Sequence, residues 1–353
     1  MAPSSRARRR GIRNADAPPD SAPGTDRLTK HLALHDEPAF GKAGSSFCVG
    51  ALRNYPPTVR PPADAIATLS LIVGAIALLI FIGVEGALVY AIWRYRAARH
   101  VAGEPATFER NRRLEIAWTA APAVILAVVF VLTLGTMAEI NGAGVAPAMR
   151  IAATGHQWWW EFSYAGVATA NELHIPVDTP VDLELTSADV IHSFWVPELG
   201  PKMDMLPGVT NRLRLFARRA GSYDGQCAEF CGIEHAWMRI RVVAQSRAEF
   251  DTWLSAQAAP APQGAEGERV FLANICVNCH AVRGTSAAGT AGPDLTHVGA
   301  RTMIGAGVLP NDVARMRAWL ADPERYKPGT LMPSVPLSDA DLDAVAAYLV
   351  SLR

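Results

Sequence analysis

Two apolar runs constrain this chain more than any other feature. The first covers about Ala65 to Trp93 and the second about Ile116 to Met137. Crossing a hydrocarbon core takes roughly 20 predominantly apolar residues in helical form, and each run meets that length. A helix buried in a soluble core is the alternative, but it has no need of runs this long. Charged residues still make up 19% of the 353 residues, too many for a chain that is mostly membrane-embedded. The reading is therefore a two-helix transmembrane hairpin carrying soluble domains.

Charge sets the expected orientation. The segment joining the runs holds Arg94, Arg96, Arg99, Arg110, Arg112 and Arg113, whereas the first basic residue after Met137 is Arg150. By the positive-inside rule the joining loop is cytoplasmic, and everything beyond Met137 lies on the outer face. In a bacterium this means the inner membrane, with the soluble domains facing the periplasm. The formal net charge is zero, which argues against nucleic acid as a partner. Glu85 sits eight residues before Trp93, roughly 12 Å from the helix end at ~1.5 Å per residue. It is either a functional intramembrane group or a neutral one packed on a partner.

The remaining segments differ in pattern. Residues 1–62 are rich in Pro, Ala, Ser and Arg and are predicted to be disordered. The basic start (Arg6, Arg8, Arg9, Arg10, Arg13) has no apolar stretch behind it to make a signal peptide. Ser45-Ser46-Phe47 is a poor lead-in for Cys48 as a lipoprotein cysteine. Residues 63–138 form the hairpin. Over 139–250, alternating runs such as Val181-Asp-Leu-Glu-Leu-Thr and Asn211-Arg-Leu-Arg-Leu-Phe predict strands of a sandwich or barrel. Residues 251–265, with Ala-Gln-Ala-Ala-Pro-Ala-Pro-Gln-Gly-Ala over 256–265, are expected to be a flexible linker. Residues 266–353 predict short helices at Glu266–Asn274, Val313–Ala321 and Ser338–Leu352. Ser338 is placed to cap the last, with Asp339, Asp341 and Asp343 in its early turns.

Two cysteine clusters carry the chemistry. Cys227, Cys231, His235 and Met238 fall within twelve residues. Thiolate and thioether are soft ligands and, with imidazole, select copper; zinc seldom recruits methionine, and a Cys227–Cys231 disulfide is the remaining alternative. Two cysteines at this spacing can bridge two copper ions. The second ion then needs another imidazole, for which His192, in Val190-Ile-His-Ser-Phe-Trp-Val-Pro197, is the best candidate. The second cluster, Cys276-Val-Asn-Cys279-His280, is a C-x-x-C-H motif for covalent haem. A thioredoxin-like redox pair is the alternative, but no βαβ pattern surrounds it. The cysteines would form thioethers and His280 one axial bond to iron. Met303, Met316 and Met332 compete for the other.

On these residues the chain resembles subunit II of the haem-copper cytochrome c oxidases over about residues 60–245. The matching segments are Gly155-His-Gln-Trp-Trp-Trp160, His192-Ser-Phe-Trp-Val-Pro197 and the loop from Cys227 to Met238. The resemblance implies a binuclear copper centre on an all-β cupredoxin Greek-key sandwich. Cys227 and Cys231 would bridge both ions, His192 and His235 would bind one each, and Met238 and the Glu229 carbonyl would be weak axial ligands. The Glu229 carboxylate would face a magnesium ion shared with catalytic subunit I. Trp158 would be the surface tryptophan that receives electrons. In a strand, it would share one face with Trp160. Glu115 would lie near the mouth of a proton-uptake channel.

Residues 266–353 resemble a small all-α class I cytochrome c. Its loop methionine matches Met332, and Gly292-Pro-Asp-Leu295 matches the loop on the other side of the haem. A cytochrome fused behind subunit II is the pattern of caa3-type oxidases. The implied partners are subunits I and III, membrane lipid, and a c-type cytochrome or upstream complex as donor. The same arm on a nitric oxide reductase, or a copper-delivery protein, are the other readings; the second leaves the haem motif unexplained.

Overall fold

The computed structural model describes residues 62–96, 110–141, 146–264 and 266–353. The expected disorder over 1–62 and the environment of Cys48 lie outside the described residues, apart from Pro62. Two long helices come first, α1 (Pro62–Tyr95) and α2 (Arg112–Ile140). Asn111 caps α2 by accepting from Leu114 N. At 34 and 29 residues both exceed the ~20 residues of a membrane span. Their large apolar side chains, among them Leu79, Phe81, Leu126 and Phe130, are exposed. Such a surface is stable only against lipid or protein, since water would penalise it.

The first turn of α1 is tied to the soluble domain. Arg218 Nη1 lies 3.1 Å from Asp64 Oδ2, and Pro62 packs close to Gly200.

Ten strands follow: β1 (Met149–His156), β2 (Trp159–Tyr164), β3 (Val167–Ala170), β4 (Glu172–Pro176), β5 (Val181–Ser187), β6 (His192–Trp195), β7 (Met203–Met205), β8 (Asn211–Leu215), β9 (Gly221–Cys227) and β10 (Arg239–Gln245). They make two five-stranded sheets, ordered β3-β2-β1-β5-β8 and β4-β10-β9-β6-β7. The chain changes sheet between β3 and β4 and again between β4 and β5, giving the parallel pairs β1·β5 and β10·β4. Period-two burial produces the core. In β5, Val181, Leu183, Leu185 and Ser187 point inward while Asp182, Glu184 and Thr186 alternate with them. Trp160, Phe162, Leu173, Ile175 and Phe194 fill the space between the sheets.

Three sequence expectations are corrected here. Gln157 and Trp158 form the two-residue turn between β1 and β2, since His156 pairs with Trp159. Trp158 is therefore not a strand residue sharing a face with Trp160. Second, the expected linker is largely structured. Helix α3 (Arg247–Ala258) starts at a Ser246/Glu249 capping box and absorbs residues 251–258, because Ala and Gln, common in linkers, also favour helix. Third, the residues after it are pinned rather than flexible. His297 Nε2 bonds the Ala259 carbonyl at 2.9 Å, Ala261 N donates to the Arg283 carbonyl at 2.8 Å, and Ala261 is buried.

The C-terminal domain contains α4 (Glu266–Ala273), α5 (Val313–Ala321), α6 (Pro323–Tyr326) and α7 (Asp339–Ser351), with a short ladder between Met303–Ile304 and Leu309–Pro310. Ser338 accepts from Asp341 N as the cap of α7. Phe271, Trp319, Val345 and Leu349 form its core. This is a domain with its own apolar centre, laid against the sandwich.

Candidate copper and haem sites

Strand pairing brings the first cysteine and histidine together. Phe194 pairs with Cys227 across β6 and β9. His192 shares a face with Phe194 two residues away, so it meets Cys227 at the end of the sheet. The chain then loops through Glu229, Cys231 and His235 before Met238 leads into β10. The two sulfurs lie 3.8 Å apart, far beyond the ~2.05 Å of a disulfide, and both cysteines are free.

Each sulfur has its own pair of further donors. Cys227 Sγ is 3.9 Å from His192 Nδ1 and 3.2 Å from the Glu229 carbonyl. Cys231 Sγ is 3.7 Å from His235 Nδ1 and 3.9 Å from Met238 Sδ. Donor atoms of His192, Cys227 and Cys231 all fall within 4.8 Å of one another. Two soft sulfurs flanked by two half-sites, each with an imidazole and a weak donor, suit a pair of copper ions.

The surroundings fix these ligands. Asp189 Oδ1 lies 2.8 Å from His192 Nε2 and orients the ring so that Nδ1 faces the sulfur. Trp160 packs edge-on to His192 at 6.0 Å. Cys231 lowers the Cys227 thiol well below the ordinary range, with help from His192. The same pairing, together with burial, raises Cys231. Gly232, at φ +120°, lies where a Cβ would come 2.9 Å from Trp158 Cζ2, so glycine lets the tryptophan approach the loop. Trp158 Nε1 and Gln157 Nε2 both donate to the Cys231 carbonyl, at 2.9 and 2.8 Å.

The second site is a cavity of about 450 Å³ whose walls include Cys276, Cys279, His280 and the three candidate methionines Met303, Met316 and Met332. His280 Nδ1 hydrogen-bonds the Pro293 carbonyl at 2.8 Å, which leaves Nε2 for a ligand, and burial lowers its pKa. Gly292 packs against that ring where a Cβ would come within 2.7 Å. Arg301 Nε, on the wall, is buried without a hydrogen-bond partner among the described residues. An apolar cavity with paired thiols, one oriented imidazole, methionine sulfurs and a guanidinium that bonds the Asp294 carbonyl through Nη2 but leaves Nε unsatisfied fits a haem with anionic propionates.

The cavity is not closed by one domain. Trp158 and Trp159 of the sandwich also line it, and Trp158 is only 9% exposed. The tryptophan expected at the surface is thus covered by the chain's own C-terminal domain. Trp159 stacks on His156 at 4.1 Å and touches Ala306 of that domain. In the hairpin, Glu115 is paired with Arg110 at 2.9 Å, and Glu85 has no described partner that bears on its role.

Sequence reasoning missed Glu172, Glu234, Arg301 and Lys327. Glu234 lies within the copper loop but at no ligand position, and the other three carry no ligand signal; only their burial and contacts mark them.

Comparison with known proteins agrees with this geometry. Residues 53–135 match the transmembrane domain of cytochrome c oxidase subunit II, 166–245 its periplasmic domain, and 264–353 cytochrome c. A cytochrome c oxidase subunit 2 of Alkalihalophilus pseudofirmus is 39% identical over 262 residues, covering 70% of this chain and 76% of that one. This chain belongs to the cytochrome c oxidase subunit II family. The subunit 2 of Bacillus subtilis is 34% identical over 294 residues, covering 75% and 82%. The crystal structure of the periplasmic domain of subunit II from Bradyrhizobium japonicum is 32% identical and covers 32% of this chain and 95% of that one, with a TM-score of 0.31. The protein is an electron-transfer subunit of a haem-copper oxidase, with a fused cytochrome c domain and a two-span membrane anchor. It binds copper and haem and works beside a catalytic subunit I.

Proposed function

We propose that this subunit is the electron-input arm of a caa3-type oxidase, in which a covalent haem c passes electrons to a binuclear copper centre and onward to subunit I. Oxygen reduction and proton pumping belong to that partner. The observation that carries this reading is the paired geometry at the two cysteines, 3.8 Å apart, each with its own imidazole. When bound, the haem and the copper pair each supply a one-electron couple.

The chain's residues hold and insulate those groups. Cys227, Cys231, His192, His235, Met238 and the Glu229 carbonyl would hold the copper, with the two cysteines shared between its ions. Cys276 and Cys279 would attach the haem, and His280 and Met332 would hold its iron. Trp158 lies between the two sites: it lines the haem cavity and its Nε1 donates to the Cys231 carbonyl. That hydrogen bond gives a short bonded route from the haem side to a bridging sulfur. The Glu229 carboxylate is left to face a magnesium ion at the subunit I boundary, and Glu115 to sit at a proton-channel mouth on the cytoplasmic side. The soluble domains face the periplasm of a bacterial inner membrane, where a c-type cytochrome or upstream complex donates and subunit III completes the core.

Electron paramagnetic resonance of the purified protein tests the copper assignment. Two coppers per chain with a seven-line hyperfine pattern are expected from one unpaired electron shared over both ions. One copper with a four-line pattern would overturn it.

A further inference from the structure

Two carboxylates of the sandwich reach across to the cytochrome domain, and both are buried. Glu172 is 2% exposed and Glu234 is 1% exposed. Glu172 Oε1 accepts from Thr302 N at 2.7 Å, from Met303 N at 3.0 Å and from the Thr302 hydroxyl. Glu234 Oε2 lies 2.9 Å from Lys327 Nζ, and Lys327 also donates to the Trp158 carbonyl at 3.1 Å. Lys327 is itself 4% exposed.

The two anchors grip different segments of the haem cavity wall. Glu172 holds the one carrying Arg301 and Met303, and Glu234 holds the one running from Lys327 to Met332. Glu234 also neighbours His235 on the copper loop, so that anchor couples the two cofactor loops directly. Close backbone packing reinforces the joint. A Cβ on Gly329, at φ +92°, would lie 2.6 Å from Ile233 Cγ2, and one on Gly307 would lie 2.9 Å from Arg239 Cβ.

We infer that Glu172 and Glu234, with Lys327, form a two-point clamp that fixes the cytochrome domain in a single orientation over the copper loop. They are positioning residues for transfer between the sites. Arg239 N also donates to the Ala306 carbonyl at 3.2 Å, and Arg241 Nη1 to the Thr302 hydroxyl at 3.1 Å; the two buried carboxylates add anchors on two separate segments of the cavity wall, which restricts rotation of one domain on the other. A charge buried without its partner is strongly disfavoured, whereas replacing both members of a buried pair by neutral groups costs little. The clamp therefore acts as an orientation device as well as a source of affinity. This inference rests on the proposed transfer from haem to copper.

The test uses the complete oxidase carrying Glu172→Ala, Lys327→Met, or the double change Glu234→Gln with Lys327→Met. Pulsed paramagnetic resonance reads the spread of haem–copper distances, and flash reduction reads the transfer rate. Lys327→Met is expected to shift the docking equilibrium by on the order of 100-fold, seen as a broadened distance distribution and a slow, salt-dependent transfer phase. The double change restores most of the narrow distribution. Glu172→Ala broadens it while the copper spectrum stays unaltered. Unchanged distance distributions in both Lys327→Met and Glu172→Ala overturn the clamp, as does a double change no better than Lys327→Met. If the unaltered oxidase shows no transfer from haem to copper, the proposed function fails instead.

Discussion

The copper loop and the haem cavity are built in opposite ways. Every candidate copper donor comes from the sandwich, five of the six within residues 227–238. The donors are held by strand pairing and by contacts inside that domain. The haem cavity takes its thiols and imidazole from one short motif, yet part of its wall is Trp158 and Trp159 from the other domain. A site closed by its own domain depends on local packing. A site closed by two domains also reports how they are docked.

The sharpest way to break this comparison is Cys227→Ser. On the proposed reading Cys227 is shared by both ions, so copper is expected to fall from two per chain to one or none, with the haem spectrum unchanged. Metal analysis with optical spectra checks this, and a disturbed haem would show that the sites are not separable. Next in size is Phe194→Ala. Phe194 is fully buried and packs edge-on against Trp160 and Phe162, so the change should cost about 3–5 kcal/mol. Urea unfolding followed at the copper bands reads it.

A smaller change crosses the boundary. Gly232→Ala places a Cβ against Trp158 in a backbone region that alanine resists, at a cost of about 1–3 kcal/mol. It should perturb both the copper and haem spectra, because Trp158 touches both sites. A copper-only response would mean that Trp158 does not contribute to the haem environment. Smallest is Ser246→Ala, which removes the capping box of α3 for about 1 kcal/mol. Thermal unfolding should register it while both spectra stay as they were.

The same contrast explains what was readable in the sequence. The helices of the hairpin and of the cytochrome domain follow from apolar runs and caps; α5 begins and ends at the expected residues, Val313 and Ala321. The candidate copper and haem residues stand out because rare residue types recur at fixed short spacing. Trp158 was misplaced because three consecutive tryptophans look like strand, and only the pairing of His156 with Trp159 reveals the turn. The docked segment after α3 was misread because Ala and Pro are also the composition of a free linker, and its partners Arg283 and His297 lie far along the chain. Glu172 and Lys327 were invisible for the same reason, since their partners lie 130 and 93 residues away in sequence.

The burial of Trp158 has a consequence for how such an oxidase adapts to its donors. On the proposed reading, a mobile carrier would have to meet the outer surface of the fused domain, because the face around this tryptophan is already occupied. Selection for a new carrier can then act on that outer surface alone. The inner contact between the two sites would then stay the same whichever donor is used, leaving the copper domain to answer only to its partner in the membrane.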